Sequence, residues 1–408
     1  MINYKQFLVD FPMLNKTMQN HRLVYLDNAA TSFKPTVVLD AIRDYYENYC
    51  ANTHRGDYDI AHFADVNYDK ARQTVADFIN ADKNEVVFTA GTSMSINMIA
   101  YGYGMKFLKP GDEILLTEAE HASNVLPWFT VAKETGCTIR YIPLTKEGRL
   151  TPENVEKAMS EKTKIVAIAQ VTNVLGYVVD IKTISKIVHK HGALIMVDGA
   201  QSVPHIKVDV KDLDCDFLSF SGHKMCGPTG IGVMYGKYEL LKVMEPLMSG
   251  GGMNARFNTC GEVTLLLPPA KFEAGTQNIE GAIGLAAAIK YLDKIGMDNI
   301  EKYEKELRDY AISKLKELDN VILYNETAES GIITFNIKNV FAQDAATYLN
   351  SRGVCVRSGQ HCAKILMDFL GTVATVRASL YFYNTKEDID VFVDACKKAG
   401  DFLDAYFN

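Results

Sequence analysis

An α/β protein, with a mostly parallel sheet covered by helices and a smaller C-terminal α+β domain, is the fold the sequence predicts, on three observations. Between about Asn84 and Gly236, short β-branched apolar runs alternate with helix-like stretches, as they do where parallel strands are joined by crossover helices. Two of the runs, KIVAIAQV and ALIMVD, are apolar almost without a break, the mark of strands buried on both faces. The alternation then stops at residues 248–278, which hold a triple glycine, a Pro-Pro pair and no helical period.

In chain order the strands of the first part are EVVFT, EILLT, TIRYIPL, KIVAIAQV, ALIMVD, FLSFS and GIGVMYG. Ligands of such sheets sit beyond the carboxyl ends of the strands. Residues 248–278 read as an extended hairpin or a partner-facing loop. An Ala-rich helix (AIGLAAAIKYLDKIG) and a charged one (NIEKYEKELRDYAISKLKEL) follow; strands IITFNI, VCVRS and TVRASLYF then intersperse with two helices. The expected domains are an N-terminal segment, 1–24, packing on the small domain, a large domain, 25–290, and a small domain, 291–408.

A chain of 408 residues, 48% hydrophobic and 23% charged, has the balance of a globular protein able to bury a cofactor. Its net charge of −7, without a long Lys/Arg run, argues against nucleic-acid or anionic-membrane binding. The N-terminus alternates polar and apolar residues and does not read as a secretory signal; no apolar stretch is long enough to span a bilayer. Eight cysteines, at 50, 137, 215, 226, 260, 355, 362 and 396, form no C-x-x-C pair, so a reducing cytoplasm is expected.

GxGxxG, GxxxxGK[ST], HExxH and GxSxG are all absent, which removes the usual support for dinucleotide, NTP, zincin and serine-hydrolase chemistry. Four loops at strand ends are informative instead. Thr92 and Ser93 open a helix after VVFT: they are ordinary N-caps or a phosphate seat. Asp198 ends a buried strand, with Gln201 three residues on; it either caps a turn or holds a protonated ring nitrogen, since a buried carboxylate needs a partner. Lys224, in SGHK after FLSFS, is a surface charge or, one unit of the sheet after Asp198, reaches the same crevice with Ser221 and His223 as anion donors. In GVCVRSGQHCAKI a strand leads into a loop that holds Arg357, His361 and Cys362, and the next strand holds Arg377. On residue type Cys362 is a small core hydrophobe; beside His361 and Arg357 it is a candidate thiolate. A zinc site from Cys355, His361 and Cys362 lacks ligand spacing.

These loops resemble, in this order, the pyridoxal-phosphate (PLP) dependent class V aminotransferase superfamily, fold type I, and most closely its SufS-like type II cysteine desulfurases. YLDNAAT, ANTHRG, EAEHASNVLPW, VTNVLG, VDGAQSVPH, SGHKMCGPTGIG, FEAGTQN, RSGQHCA and RASLYFYN carry the resemblance, from Tyr25 to Asn384. It implies that Lys224 binds pyridoxal 5′-phosphate covalently, Asp198 keeps its pyridine nitrogen protonated and His121 stacks on the ring. Asn173 and Gln201 would lie near the phenolic oxygen, and Thr92, Ser93, Ser221 and His223 would hold the phosphate. Thr276 would reach the phosphate of a neighbouring subunit, with Arg55 near that shared site, in a homodimer. Arg377, assisted by Arg357, would bind the carboxylate of L-cysteine or L-selenocysteine. Cys362 would take the sulfur as a persulfide, releasing alanine and passing sulfur to a SufE-like or SufU-like acceptor or a small thiol, for iron-sulfur cluster assembly or other sulfur transfer. Gln360 stands where many type II members carry histidine, and Lys364-Ile365 replaces a pair that often ends in proline. A selenocysteine lyase or another class V lyase or transaminase would share every cofactor residue; a non-catalytic sulfur-trafficking scaffold would share the fold.

Overall fold

The structure, a computed structural model, describes residues 4–54 and 56–403. All seven apolar runs form strands of one sheet: β1 Val86–Thr89, β2 Glu113–Thr117, β3 Thr138–Ile142, β4 Thr163–Ala169, β5 Leu194–Asp198, β6 Phe217–Ser221 and β7 Gly232–Gly236. Their spatial order is β1-β7-β6-β5-β4-β2-β3. β2 to β6 pair in parallel, whereas β7 runs antiparallel to both β1 and β6. The reason is length: residues 222–231 are too few for the crossover that a parallel partner needs.

Successive side chains of a strand point to opposite faces, and here both faces are covered. Val166, Ile168, Ile195 and Val197 enter one apolar core, while Ile165, Ala167 and Met196 enter another on the opposite side. That double burial explains why β4 and β5 carry no polar alternation. It also leaves their carboxyl ends as the place where polar side chains emerge into one crevice.

Residues 248–278 contain a hairpin, β8 Asn254–Phe257 with β9 Val263–Leu265, bulged between Asn254 and Arg256. The helices Ile279–Ile295 and Met297–Leu315 lie where the sequence placed them. Beyond them stands an antiparallel sheet of β10 Val321–Leu323, β11 Ile332–Ile337, β12 Arg357–Gly359 and β13 Thr375–Ser379, in the order β10-β11-β13-β12. It has its own core, which includes Leu307, Phe335, Val376 and Phe392.

The run VCVRS, expected as one strand, divides in two. Val354–Cys355 pairs in parallel with Val24–Tyr25, while Arg357–Gly359 pairs with β13. Two neighbours on different sides compete for one short run, and each takes half. The N-terminal segment also inserts Phe7 and Phe11 against Phe382 and Tyr383.

Candidate active site

A cavity of about 330 Å³ opens beyond the carboxyl ends of β4, β5 and β6, closed on its far side by β12, β13 and the turn between them. Twelve of the predicted site residues line it: Thr92, Ser93, His121, Asn173, Asp198 and Gln201 on one stretch of wall, and Ser221, His223, Lys224, Arg357, Arg377 and Cys362 on another.

One end is built for an anion. The helix Thr92–Ile99 starts as β1 ends; the Thr92 backbone N–H donates to Ser221 Oγ at 2.8 Å, and the two hydroxyls lie 2.7 Å apart. Ser93 and Ser123 hydroxyls also meet at 2.7 Å. Free N–H groups and hydroxyls at a helix N-terminus suit a phosphate. The local fold depends on glycine: a Cβ on Gly232 would sit 2.4 Å from the Gly91 Cα, so no side chain fits between β7 and the turn that starts the helix.

The middle of the cavity holds polar atoms with no partner inside the protein. Gln201 donates to the Ala29 carbonyl at 2.7 Å and leaves Oε1 unsatisfied; Asn173 donates to the His361 carbonyl at 2.8 Å and leaves Oδ1 unsatisfied. Buried polar atoms of this kind call for a ligand. Asp198 accepts from the Ala200 N–H at 2.9 Å, and burial, opposed by that N–H and by Lys224, pushes its carboxyl up. Burial likewise lowers the Lys224 amine to about 8, against the attraction of Asp198.

His121 is held neutral. Burial, then Lys224 and Arg377, lower it to about 4, and its Nδ1 accepts the Ser123 backbone N–H at 3.1 Å, which places the ring proton on Nε2. Next to it Glu120, which the sequence did not single out, is pushed up to about 8 by burial and accepts from Thr117 and Asn124 at 2.7 and 2.8 Å.

At the far end Arg377, on β13, is buried and lowered to about 10 by that burial. It donates to the Asn173 carbonyl at 2.7 Å and keeps a buried Nε without a partner. Arg357 stands opposite on β12 and is bound by Asp27, a second residue that the sequence did not single out. Cys362 is exposed. Both His361 and Cys362 have positive φ, 51° and 57°, a left-handed turn that non-glycine residues adopt only when their surroundings impose it. Here the surroundings are visible: the Cys362 carbonyl accepts the Ala122 N–H at 2.7 Å, and His361 Nε2 meets Thr375 Oγ1 at 3.0 Å. The expectation that His361 supplies a cation beside Cys362 is corrected by this packing. Its ring turns inward, and burial and Arg377 lower it to about 3, so it is neutral.

Thr276 is not in this cavity; it lines a smaller one of about 130 Å³ with Asn52, His54 and Gly251. Arg55 lies outside the described residues. The Thr276 segment is anchored nearby, because Glu273 forms a buried two-pronged ion pair with Arg72, 2.7 Å for each bond, and accepts the Phe88 N–H at 2.9 Å. Among the described residues no group of three or more His, Cys, Asp or Glu is placed to hold a metal ion.

The donor set fits pyridoxal phosphate. Hydroxyls and a helix N-terminus would suit its phosphate, a buried carboxylate its ring nitrogen, and an amine of lowered basicity its aldehyde.

Known proteins agree with this geometry. The family model for class-V aminotransferases matches residues 24–392. The chain is 49% identical over 398 residues to a protein of Halalkalibacterium halodurans named "Probable cysteine desulfurase", covering 97% of this chain and 98% of that one. To the protein of the same name from Staphylococcus epidermidis it is 48% identical over 406 residues, covering 99% and 98%. Among solved structures it superposes on the cysteine desulfurase CsdA of Escherichia coli with a TM-score of 0.91 and 38% identity, covering 98% and 99% of the two chains. The apo cysteine desulfurase of Thermococcus onnurineus NA1 gives 0.92 and 39%, covering 97% of each.

Proposed function

The chain belongs to the class-V aminotransferase family, and from that premise we propose that it is a cysteine desulfurase of the SufS-like type II, taking sulfur from L-cysteine and releasing L-alanine. The observation that carries the reading is the placement of an exposed Cys362 on the same cavity as Lys224, Asp198 and Arg377. Cofactor residues alone would serve any lyase or transaminase; the thiol is what a desulfurase needs in addition.

Pyridoxal 5′-phosphate, when bound, supplies the electron sink that makes the substrate Cα acidic. Thr92, Ser93, Ser221 and His223 would hold its phosphate, Asn173 and Gln201 its phenolic edge, and Lys224 its aldehyde carbon. Asp198 would keep the ring nitrogen protonated through a charge-assisted bond of about 1.5–3 kcal/mol, and neutral His121 would line the ring without adding charge.

The remaining work falls to this chain's own groups. Arg377, with spare donors in a planar fork, binds the substrate carboxylate and so fixes the direction of the Cβ–Sγ bond. Lys224, with a basicity near neutral pH, moves the proton at Cα. The Cys362 thiolate then attacks the substrate sulfur; the S–S bond forms as Cβ–Sγ breaks, the electron pair left at Cβ takes up a proton to make the methyl group of alanine, and a persulfide stays on Cys362.

A homodimer completes the site in this reading, with Thr276 and the hairpin β8–β9 facing the partner subunit. The exposed Phe257, Val263 and Leu267 of that stretch, 73%, 59% and 65% accessible, support it, since apolar patches of this kind mark contacts. Shortening 248–278 should therefore impair activity; unimpaired turnover would remove the hairpin from the site. The exposure of Cys362 suits hand-over to a SufE-like or SufU-like protein acceptor. Eight unpaired cysteines suit a reducing cytoplasm, and among the described residues no helix is long and apolar enough to cross a membrane.

The test is alanine and sulfide release from L-cysteine plus reductant, beside Cys362→Ala and Lys224→Ala. Equal amounts of both products, lost in both variants, are expected. Alanine formation that is indifferent to Cys362, or keto acid in its place, would overturn the reading.

A further inference from the structure

The carbonyl oxygen of His223 belongs to the peptide that precedes Lys224, and four donors converge on it. All come from residues 31–34: Thr31 Oγ1 and the Ser32 N–H, each at 3.0 Å, Ser32 Oγ at 3.2 Å and the Lys34 ammonium at 3.1 Å. The Lys34 ammonium also donates to the Ser32 carbonyl and, at 3.2 Å, to Thr31 Oγ1. Ser32 Oγ in turn accepts the Cys226 N–H at 2.8 Å, so the turn that carries Lys224 is gripped on both sides of that residue. A carbonyl oxygen has two lone pairs, and a peptide group is planar. Fixing the His223 oxygen therefore fixes the Lys224 Cα, from which a flexible four-carbon stem reaches the cavity. The same stretch is tied at its other end to the strand of Arg377. Asn28 donates to the Ser379 carbonyl at 2.8 Å, and the Ala29 N–H to Ser379 Oγ at 2.9 Å. Between the two ties, Ala29 and Ala30 line the cavity.

We propose that Lys34 is a positioning residue that locks the Lys224 turn to residues 28–34 and so sets how the amine stands relative to the Arg377 guanidinium. The proposal rests on the reading of Lys224 as the amine that meets the cofactor's aldehyde and of Arg377 as the carboxylate ligand. A substrate held at Arg377 offers its Cα to Lys224 only if the two side chains keep a set spacing, and a misplacement of about 1 Å costs up to about a hundredfold in rate. The two residues belong to different sheets: Lys224 follows β6 of the large one, and Arg377 lies on β13 of the small one. Residues 28–34 bridge them directly. Lys34 suits the task, because an ammonium is a compact charge with three donors, and here all three oxygens it meets belong to this bridge or to the peptide it holds.

Lys34 does not line the cavity, so the test separates placement from folding. In the full-length chain freed of cofactor, the rate of pyridoxal phosphate uptake near neutral pH, followed by absorbance, reads the Lys224 side. In the loaded enzyme, kcat and KM for alanine formation from L-cysteine read the rest. Lys34→Met should slow uptake and lower kcat by about tenfold each while KM changes by less than about twofold, because Arg377 keeps its bond to the Asn173 carbonyl. Lys34→Arg should restore most of both. Thr31→Val removes one donor to the same carbonyl and leaves the charge of Lys34 in place, so it should show the same split at about threefold; this arm stands even if Lys34→Met does not fold. A folded Lys34→Met with parental uptake and kcat, or a loss borne by KM alone, would overturn the proposal. So would a parental Thr31→Val, which would make the effect of Lys34 one of charge. Lys224→Ala separates the two levels: if it takes up cofactor with the parent's absorbance change, the reading of Lys224 fails and the proposal with it. If it does not, and Lys34→Met behaves as the parent does, only the role of Lys34 fails.

Discussion

The backbone N–H of Ala122 donates to the carbonyl oxygen of Cys362 at 2.7 Å, so the loop that carries His121 also holds the turn that presents the exposed thiol. Ala122 is the first residue of the helical turn Ala122–Asn124, after His121 at φ −66°, ψ 145°. Proline is tolerated there, and the preceding conformation suits it. Ala122→Pro therefore deletes this one donor. Sulfide release should fall about ten- to hundredfold, the scale of a misplaced reacting group, while uptake of pyridoxal phosphate, followed by absorbance, is kept. Loss of both together would mean that His121 had moved as well.

Lys224, lowered to about 8 by burial, should make cofactor uptake pH-dependent. The neutral amine is the nucleophile, and its fraction rises as pH passes upward through about 8. The rate at which the cofactor-free chain takes up pyridoxal phosphate should climb over that range and level off above it. A rate that keeps climbing towards the ordinary lysine range would show an amine of normal basicity.

Gly232→Ala would place a methyl group 2.4 Å from the Gly91 Cα and 2.6 Å from the Phe220 carbonyl oxygen. Backbone cannot yield as a side-chain tip can, so chemical denaturation should show a loss of about 3 kcal/mol. Affinity for inorganic phosphate and for the cofactor should drop with it, because Gly91 leads into the helix that offers Thr92.

Glu273→Gln should destabilise the fold by about 3–5 kcal/mol, the cost of leaving one partner of a buried pair uncompensated. Arg72 and Glu273 are 7% and 6% exposed. The double variant Arg72→Met/Glu273→Leu should recover much of that loss, and denaturant midpoints decide it. A single variant as stable as the parent would show that water reaches the pair.

The central sheet was legible because its signal is local: a strand buried on both faces must be apolar along its whole length, as KIVAIAQV is. The direction of β7 was less so, since it depends on how few residues follow Lys224. β10 was missed because three partly exposed residues, Val321–Leu323, carry no period. In the cavity, Lys224, Asp198, His121 and Cys362 are residue types whose chemistry announces itself. Asp27 is not: an acid in YLDNAAT acquires its task only when Arg357 and Arg377 arrive from 330 and 350 positions away. His361 was misjudged for a related reason, because a histidine in a polar loop gives no sign in the sequence that its ring will turn in towards Thr375.

The bonds of Leu26 and Asn28 to Ser379 of β13 bear on how the protein is made. Leu26 accepts the Ser379 N–H at 2.7 Å, and Asn28 reaches the Ser379 carbonyl at 2.8 Å, 351 positions on. On the ribosome, residues 86–236 can assemble their sheet while β13 is still unmade. A nascent or C-terminally clipped chain would thus carry Thr92, Ser221 and Lys224 but neither the arginine pair nor the cysteine turn, so the cavity closes only in the finished polypeptide.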